Sequence, residues 1–359
     1  MEPSDTDLLI DYLEERGATA DELADAVATG SLGALALELA LRGAGELLPF
    51  EEAASTAGLD VEAARELWCA LGFPDPKHRQ LRVTPKQIQT LRLLAEMSGP
   101  LGAETGLQLA RVMGSSMAQL AEAIVVAFRV KVEMPRRDHG EPYSEVVRDY
   151  SQTASIVLPA LADALGEVLT EHLLSVSRSN WALDERRAAV TRELGIGFAD
   201  LVEYTRVSRL WEPAELASAI ARFEALVREV LTRYPARVVK LIGDEIMFAV
   251  DDVSRAADLV RELIEELAAD RQLPPVRVGL AAGRVVSYQG DYYGDVVNLA
   301  ARLVKAADPR AALVSGPSMK KATSSRDLEM VEMPVLKGYE GAVRVYKLLS
   351  RKPSNETEP

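Results

Sequence analysis

Two apolar, β-branched runs flank a glycine–aspartate pair in the second half of the chain. The runs are Ala236–Ile242 and Glu245–Val250, and only Gly243 and Asp244 separate them. Two intervening residues of this kind predict a tight β-hairpin, because glycine readily adopts the backbone conformation that such a turn needs. A hairpin here makes the two runs antiparallel neighbours in one sheet, which constrains where the flanking elements can lie.

Strand and helix patterns alternate around this hairpin. Strands are predicted at 192–199, 276–286 and 312–314, with a final pair near 328–334 and 343–349, and helices at 213–234, 253–270 and 295–307. The central order is therefore β-α-β-β-α-β, which is typical of a ferredoxin-like α+β domain, here with extra elements.

Residues 1–180 show helical apolar spacing almost throughout and are rich in alanine, leucine and glutamate. The predicted helices span 5–16, 19–29, 34–41, 50–57, 61–71, 84–97, 103–132 and 143–176, with a break considered at Pro159 and N-caps at Thr19, Asp60 and Thr84. The polar segment 177–181 then interrupts the pattern. We predict an all-α domain at 1–180, a linker at 181–190, an α+β domain at 191–350 and a disordered tail at 351–359.

Composition excludes several classes of function. Residues 1–180 hold 28 acidic and 15 basic side chains, which is −13 of the chain's net charge of −14, and this opposes binding to a nucleic-acid backbone. A single cysteine rules out an intrachain disulfide, and the three histidines have no metal-type spacing. No export signal and no apolar run near the roughly 20 residues of a membrane span is evident. We expect a cytoplasmic protein without a membrane span.

The segment Gly290–Leu303 places an acid, an amide and a guanidinium in succession. Asp291 precedes a predicted helix in which Asn298 and Arg302 lie four residues apart, on one face. Together these two side chains can bind a phosphorylated sugar. The apolar side of this helix is predicted at Val297, Ala301 and Val304.

Two aspartates stand at the ends of predicted strands. Asp200 closes the first strand of the second half, and Asp244 lies in the hairpin turn. A pair of carboxylates suits a divalent metal, and a metal suits a nucleoside triphosphate. Taken alone, however, an aspartate after glycine is also ordinary turn chemistry, so a purely structural role stays open.

With these motifs together, the segment from about Ala189 to Leu349 resembles the catalytic domain of class III nucleotidyl cyclases. The resemblance implies that Asp200 and Asp244, with the backbone carbonyl of Leu201, hold two Mg²⁺ or Mn²⁺ ions in each active site. It also implies the ferredoxin-like fold that the strand order predicts.

The resemblance assigns further residues to the substrate ATP. Lys240 and Asp291 match the family's adenine-selecting pair, and an ammonium donor with a carboxylate acceptor suits the donor and acceptor pattern of adenine. Asn298 would orient the ribose, and Arg302 would stabilise charge on the α-phosphate. Lys337, in a Lys-Gly segment, would reach the terminal phosphates.

The implied activity is that of an adenylate cyclase, which forms 3′,5′-cyclic AMP and pyrophosphate by two-metal, in-line attack of the ribose 3′-hydroxyl. Because the family takes its metal pair and its Lys, Asp, Asn and Arg set from opposite subunits, one chain with both implies a head-to-tail homodimer. More loosely, residues 1–180 resemble the helical regulatory domain of soluble actinobacterial adenylate cyclases, with an apolar small molecule or a proton as the expected effector.

Three alternatives remain at this level. Glu203 occupies a position where the family usually has glycine, and this is the only support for a catalytically silent nucleotide sensor, against which the intact metal, base and ribose residues argue. A guanylate cyclase is the second alternative, against which the match of Lys240 and Asp291 to the adenine-selecting pair argues. The segment 50–73 has helix-turn-helix spacing, but the negative charge of residues 1–180 opposes a DNA-binding regulator.

Overall fold

The computed structural model describes residues 4–42, 45–78, 81–181, 191–204, 209–316, 328–331 and 344–348. The chain divides into two compact units, residues 1–177 and 178–359. Each unit has hydrophobic clusters of its own.

The first unit consists almost entirely of helices, as the sequence predicts. They are α1 (Asp5–Glu15), α2 (Ala20–Thr29), α3 (Leu32–Leu41), α4 (Phe50–Thr56), α5 (Val61–Ala70), α6 (Pro85–Leu101), α7 (Ala103–Phe128), α8 (Met134–Asp138) and α9 (Tyr143–Trp181). A π-helical turn, Arg129–Glu133, joins α7 to α8. Strands β1 (Leu48–Pro49) and β2 (Arg82–Val83) form a short antiparallel pair that the sequence analysis missed.

Three helix starts follow the predicted caps. The side chains of Thr19 and Thr84 each form a capping box at the start of α2 and α6, and Asp60 accepts two backbone N–H groups at the start of α5. Each cap satisfies donors that a helix N-terminus leaves without an intrahelical partner.

Helix α9 covers the predicted helix 143–176 and extends past its predicted end. It continues through Pro159, because one exposed proline removes a single hydrogen bond and the strong helix formers around it keep the turns on both sides. It also runs through the polar segment to Trp181, since loss of the apolar pattern does not by itself end an exposed helix. Residues 182–190, most of the predicted linker, lie outside the described residues.

Two stretches of the first unit have the length and composition to cross a membrane. They are Ala103–Asp138 and Tyr143–Arg178. The sequence analysis did not find them because it looked for uninterrupted apolar runs, whereas each stretch contains scattered polar residues. The finding is weak evidence for a membrane span, because helices of soluble proteins meet the same criterion.

The second unit is a mixed sheet with helices on both faces. Its strands are β3 (Thr191–Leu201), β4 (Ala236–Ile242), β5 (Glu245–Val250), β6 (Val276–Tyr288), β7 (Asp291–Tyr293), β8 (Ala312–Ser315), β9 (Leu328–Val331) and β10 (Val345–Leu348), and its helices are α10 (Pro213–Thr232), α11 (Ala256–Ala269) and α12 (Asp295–Ala306). The strand order is β4-β5-β3-β6-β8-β10-β9, with β7 paired to β6. Only β6 and β8 run parallel among the described pairs. The predicted β-α-β-β-α-β core is confirmed.

Side chains of the central strands alternate between two hydrophobic clusters. One cluster joins the sheet to α10 and α11, and the other joins it to α12 through Ala300, Leu303 and Val304. Asp200 follows Phe198 by two residues on β3, and Phe198 belongs to the cluster beneath α12, so Asp200 and its cross-strand partner Glu245 lie on the face that α12 covers.

Helix α12 lies very close to β6. A Cβ atom at Gly279 would stand 2.1 Å from the backbone nitrogen of Val304, so only glycine permits this approach. The fully buried side of the helix is therefore centred on Ala300, Leu303 and Val304, whereas the predicted Val297 and Ala301 are half-buried.

Candidate active site

The hairpin between β4 and β5 brings Asp244 beside the end of β3. Ile242 and Glu245 form the last pair before the turn, and Gly243 has φ +63°, as the first position of a type II′ turn requires. The N–H of Leu201 donates to the carbonyl oxygen of Asp244 at 3.3 Å. The tight hairpin predicted from the sequence is thus confirmed, and it gathers Asp200, Leu201 and Asp244 at one corner of the sheet.

A third carboxylate, Glu245, lies at this corner. Burial is the main cause that raises the pKa of Asp244, and the charge of Asp200 adds to it. Burial, followed by the charge of Asp200, also raises the pKa of Glu245. The Oε1 atom of Glu245 is buried and has no hydrogen-bond partner. The corner therefore concentrates negative charge in a poorly solvated place.

One guanidinium offsets part of this charge. The Nε and Nη2 atoms of Arg277 lie 2.7 and 2.6 Å from Oδ2 of Asp200, its cross-strand partner. Nη1 of Arg277 donates to the carbonyl oxygen of Lys305 at 3.1 Å. The ion pair holds the carboxylate of Asp200 between β6 and the end of α12.

The sequence analysis missed Glu245 and Arg277. Glu245 opens an apolar strand directly after Asp244, and Arg277 is a charged residue between the valines of another strand. These were the available signals, but the pairing of either residue with Asp200 follows only from the strand register.

The donor atoms at this corner fit a divalent cation. Within the described ranges no three His, Cys, Asp or Glu side chains form a ready-made metal cluster, and the predicted set has two carboxylates and a backbone carbonyl. Oxygen donors of this kind suit Mg²⁺ or Mn²⁺. A cation would also relieve the repulsion between Asp200 and Asp244, which adds to the effect of burial in raising the pKa of Asp244.

Lys240 and Asp291 form an ion pair. The Nζ of Lys240 donates to Oδ2 of Asp291, although the two residues lie on different strands, β4 and β7. The side chains are 43% and 22% exposed, so the pair is accessible to a ligand. The structure thus brings together the two residues predicted to select adenine.

The remaining predicted residues lie on or beyond α12. Asn298 is exposed in the first half of the helix, and Arg302, one turn later, is half-buried. Because they are four residues apart on α12, the two side chains lie on one face of the helix, as predicted. Lys337 lies outside the described residues.

Glu203 has an unusual backbone conformation. Its φ is +61°, in the left-handed region that favours glycine, and its side chain is exposed. The sequence analysis singled out this position because a glycine was expected there. The backbone here keeps the conformation that suits glycine even though the residue is glutamate.

Comparison with known proteins agrees with this geometry. Residues 187–350 match the family described as Adenylate and Guanylate cyclase catalytic domain. The chain is also 33% identical over 296 residues to an adenylate cyclase of Streptomyces coelicolor, across 82% of this chain and 76% of that protein. The chain belongs to the adenylate and guanylate cyclase family.

Two more proteins extend the comparison. This cyclase is 25% identical over 354 residues to a pH-sensitive adenylate cyclase of Mycobacterium tuberculosis, covering 95% of this chain and 87% of that one. The crystal structure of the adenylyl cyclase CyaB from P. aeruginosa covers 45% of this cyclase and 96% of its own chain, with 18% identity and a TM-score of 0.40.

Proposed function

We propose that this cyclase converts ATP to 3′,5′-cyclic AMP and pyrophosphate. The observation that carries the proposal is the contact between Lys240 and Asp291. Adenine presents a ring-nitrogen acceptor beside an exocyclic amine donor, and an adjacent ammonium and carboxylate match that edge, whereas guanine presents the opposite pattern. The Streptomyces coelicolor relative is named an adenylate cyclase, which favours the same base.

The corner of the sheet that holds Asp200, Asp244 and Glu245, called the carboxylate corner below, would bind the divalent cations that the family generally uses. Asp200 and Asp244 are the proposed ligands, with the carbonyl of Leu201. When bound, Mg²⁺ or Mn²⁺ supplies positive charge that favours ionisation of the ribose 3′-hydroxyl and neutralises the phosphates. Arg277 fixes Oδ2 of Asp200 and so orients that ligand.

The residues on α12 would act on the sugar and the reacting phosphate. The amide of Asn298 orients the ribose so that its 3′-oxygen lies in line with the α-phosphorus. The guanidinium of Arg302 stabilises the negative charge that grows on the α-phosphate. Lys337 is proposed to contact the terminal phosphates.

A complete site would need two chains. We assign the carboxylate corner to one subunit and the set of Lys240, Asp291, Asn298 and Arg302 to the other, as the family resemblance implies. A head-to-tail homodimer then has two equivalent sites, and a monomer has only half-sites.

The first unit is proposed to regulate the second. An open, mainly apolar cavity of about 730 Å³ lies among α3, α7 and α9, lined in part by Phe128, Val132 and Val157. It supports an apolar small molecule as effector, and the pH-sensitive relative supports a proton. His139 and His172, the proposed proton sensors, are both exposed. We expect the effector to relieve an inhibited ground state.

The domain limits and cellular location belong to this proposal. We place the regulatory domain at 1–180, the linker at 181–190 and the catalytic domain at 191–350. A cytoplasmic location is proposed, although two long helical stretches have the composition of a membrane span.

The test is product formation by the full chain from ATP and from GTP, with Mg²⁺ or Mn²⁺. We expect cyclic AMP from ATP and at least tenfold less cyclic GMP from GTP, because guanine would leave its own polar groups and those of Lys240 and Asp291 without matching partners in the bound complex. Equal rates with both nucleotides would instead support a guanylate or mixed cyclase. Nucleotide binding without either product would support the silent sensor, for which Glu203 is the specific observation.

A further inference from the structure

A β-bulge in β4 places Arg237 beside Lys240. The register between β4 and β5 shifts at Val239, so that Arg237 pairs with Ala249 and Lys240 pairs with Met247. These partners are two residues apart on β5 and therefore share a face. In a regular strand, residues three apart would point to opposite faces, so the bulge aligns Arg237 with Lys240.

The guanidinium of Arg237 contacts the residue that follows Asp291. Its Nη2 donates to the hydroxyl of Tyr292, and its Cζ lies 5.6 Å from the centre of the tyrosine ring. Nη1 of Arg237 donates to Asp251 at 2.7 Å, and Asp251 also pairs with Arg192 at 3.2 Å. Tyr292 is only 8% exposed. A partly buried network thus links β7 to β4 beside the ion pair described above.

Tyr292 also determines where the carboxylate of Asp291 lies. The backbone N–H of Tyr292 donates to Oδ1 of Asp291 at 2.8 Å, while Oδ2 accepts from Lys240. Arg237–Tyr292 and Lys240–Asp291 therefore form two adjacent links between the same two strands. A displacement of Tyr292 would move the backbone donor that orients Asp291.

We propose that Arg237 and Tyr292 are positioning residues for recognition of the purine base. They hold β7 at the distance from β4 at which Lys240 and Asp291 present a donor and an acceptor together. This inference rests on the proposed adenine specificity. A network that served only to stabilise the fold would affect turnover of ATP and GTP alike, whereas a positioning network changes the ratio between them.

Tyr292→Phe in the full chain is the sharpest test, because it removes the hydroxyl and keeps the ring. We expect the ratio of kcat/KM for ATP to that for GTP to fall about tenfold, as expected for loss of a hydrogen bond to a charged group, with most of the loss in KM for ATP. Tyr293→Phe is the matched control, since Tyr293 lies on the same strand with an exposed side chain. It should leave the ratio unchanged.

Arg237→Lys provides a second variant, because it keeps the charge and loses the forked contact to Asp251 and Tyr292. It should lower the ATP-to-GTP ratio of kcat/KM as Tyr292→Phe does. The double variant should lower this ratio little further, because both changes break the same contact between Arg237 and Tyr292. Thermal melting establishes that each variant is folded. An unchanged ATP-to-GTP ratio in both folded variants overturns the inference while leaving the cyclase assignment intact. A wild-type chain without adenine preference overturns the proposed function, and the inference with it.

Discussion

Two substitutions at Glu203 separate the cost of its backbone conformation from the effect of its charge on ATP binding. A non-glycine residue in the left-handed region costs roughly 1–2 kcal/mol, and glycine loses roughly 0.5–1 kcal/mol through its greater freedom in the unfolded chain. Glu203→Gly should therefore stabilise the fold by about 0.5–1 kcal/mol, which raises Tm by roughly 1–4 °C. Glu203→Gln keeps a non-glycine residue in this left-handed conformation, so it should not show the stabilisation expected from glycine.

Both variants remove the negative charge of Glu203, and this removal should strengthen ATP binding in both. Two unit charges 4 Å apart in water interact by about 1 kcal/mol, so removing a repulsion of that size would lower KM for ATP up to about fivefold. Initial rates as a function of ATP concentration give KM, and thermal melting gives Tm. A lower Tm for Glu203→Gly would refute the backbone argument, and wild-type KM values in both variants would refute the repulsion.

Three further predictions concern the proposed machinery. Asp244→Asn should abolish detectable Mn²⁺ binding and cyclic AMP formation. Without metal this variant should melt at a slightly higher temperature than the wild type, because a repelling charge is lost. In the wild-type protein the pKa of Asp244 is raised, so as pH falls protons should begin to displace Mn²⁺ at pH values above the usual range of aspartate pKa values. Asn298→Ala should lower kcat by roughly tenfold or more with little change in KM, because its contact strengthens in the transition state. Residues 185–359 should be more active than the full chain between about pH 5.5 and 8, the range in which histidine titrates, if the first unit inhibits the second.

Each of these predictions has a clear contrary result. Near-normal turnover by Asp244→Asn would remove that residue from the metal site. Asp60→Asn, at a helix N-cap of the first unit, controls for the general effect of losing an acid. A rise in KM without a fall in kcat would assign Asn298 to ground-state binding only. Equal specific activities of the two chain lengths, with both shown to be dimers, would contradict regulation by residues 1–180.

The parts of the fold set by local chemistry were predictable. The bounds of β4 and β5 agree with the sequence prediction to the residue, because a two-residue Gly-Asp turn between β-branched runs fixes the pairing next to the turn. The bulge at Val239, farther from the turn, was not predicted. The buried side of α12 was predicted at Val297, Ala301 and Val304, whereas the fully buried residues are Ala300, Leu303 and Val304. The difference arises because the close approach of Val304 to Gly279 depends on tertiary packing. Helix α9 was cut short because polarity was taken as an end signal.

The candidate site also contains residues that sequence motifs predicted and contacts that they could not predict. Asp200, Asp244, Lys240 and Asp291 were found through motifs, and the strand register places them as two groups. The pairing of Arg277 with Asp200 spans 77 residues, and no local pattern encodes it.

Subunit complementation tests the central claim most directly, namely that the carboxylate corner of one chain works with the α12 residues of another. Asp200→Ala and Arg302→Ala chains should each be inactive alone. After mixing and verified subunit exchange, half of the chains pair as mixed dimers with one intact site each, so cyclic AMP formation should return to about one quarter of the wild-type rate per chain for random pairing. Absence of any recovery despite exchange would contradict a site shared between two chains.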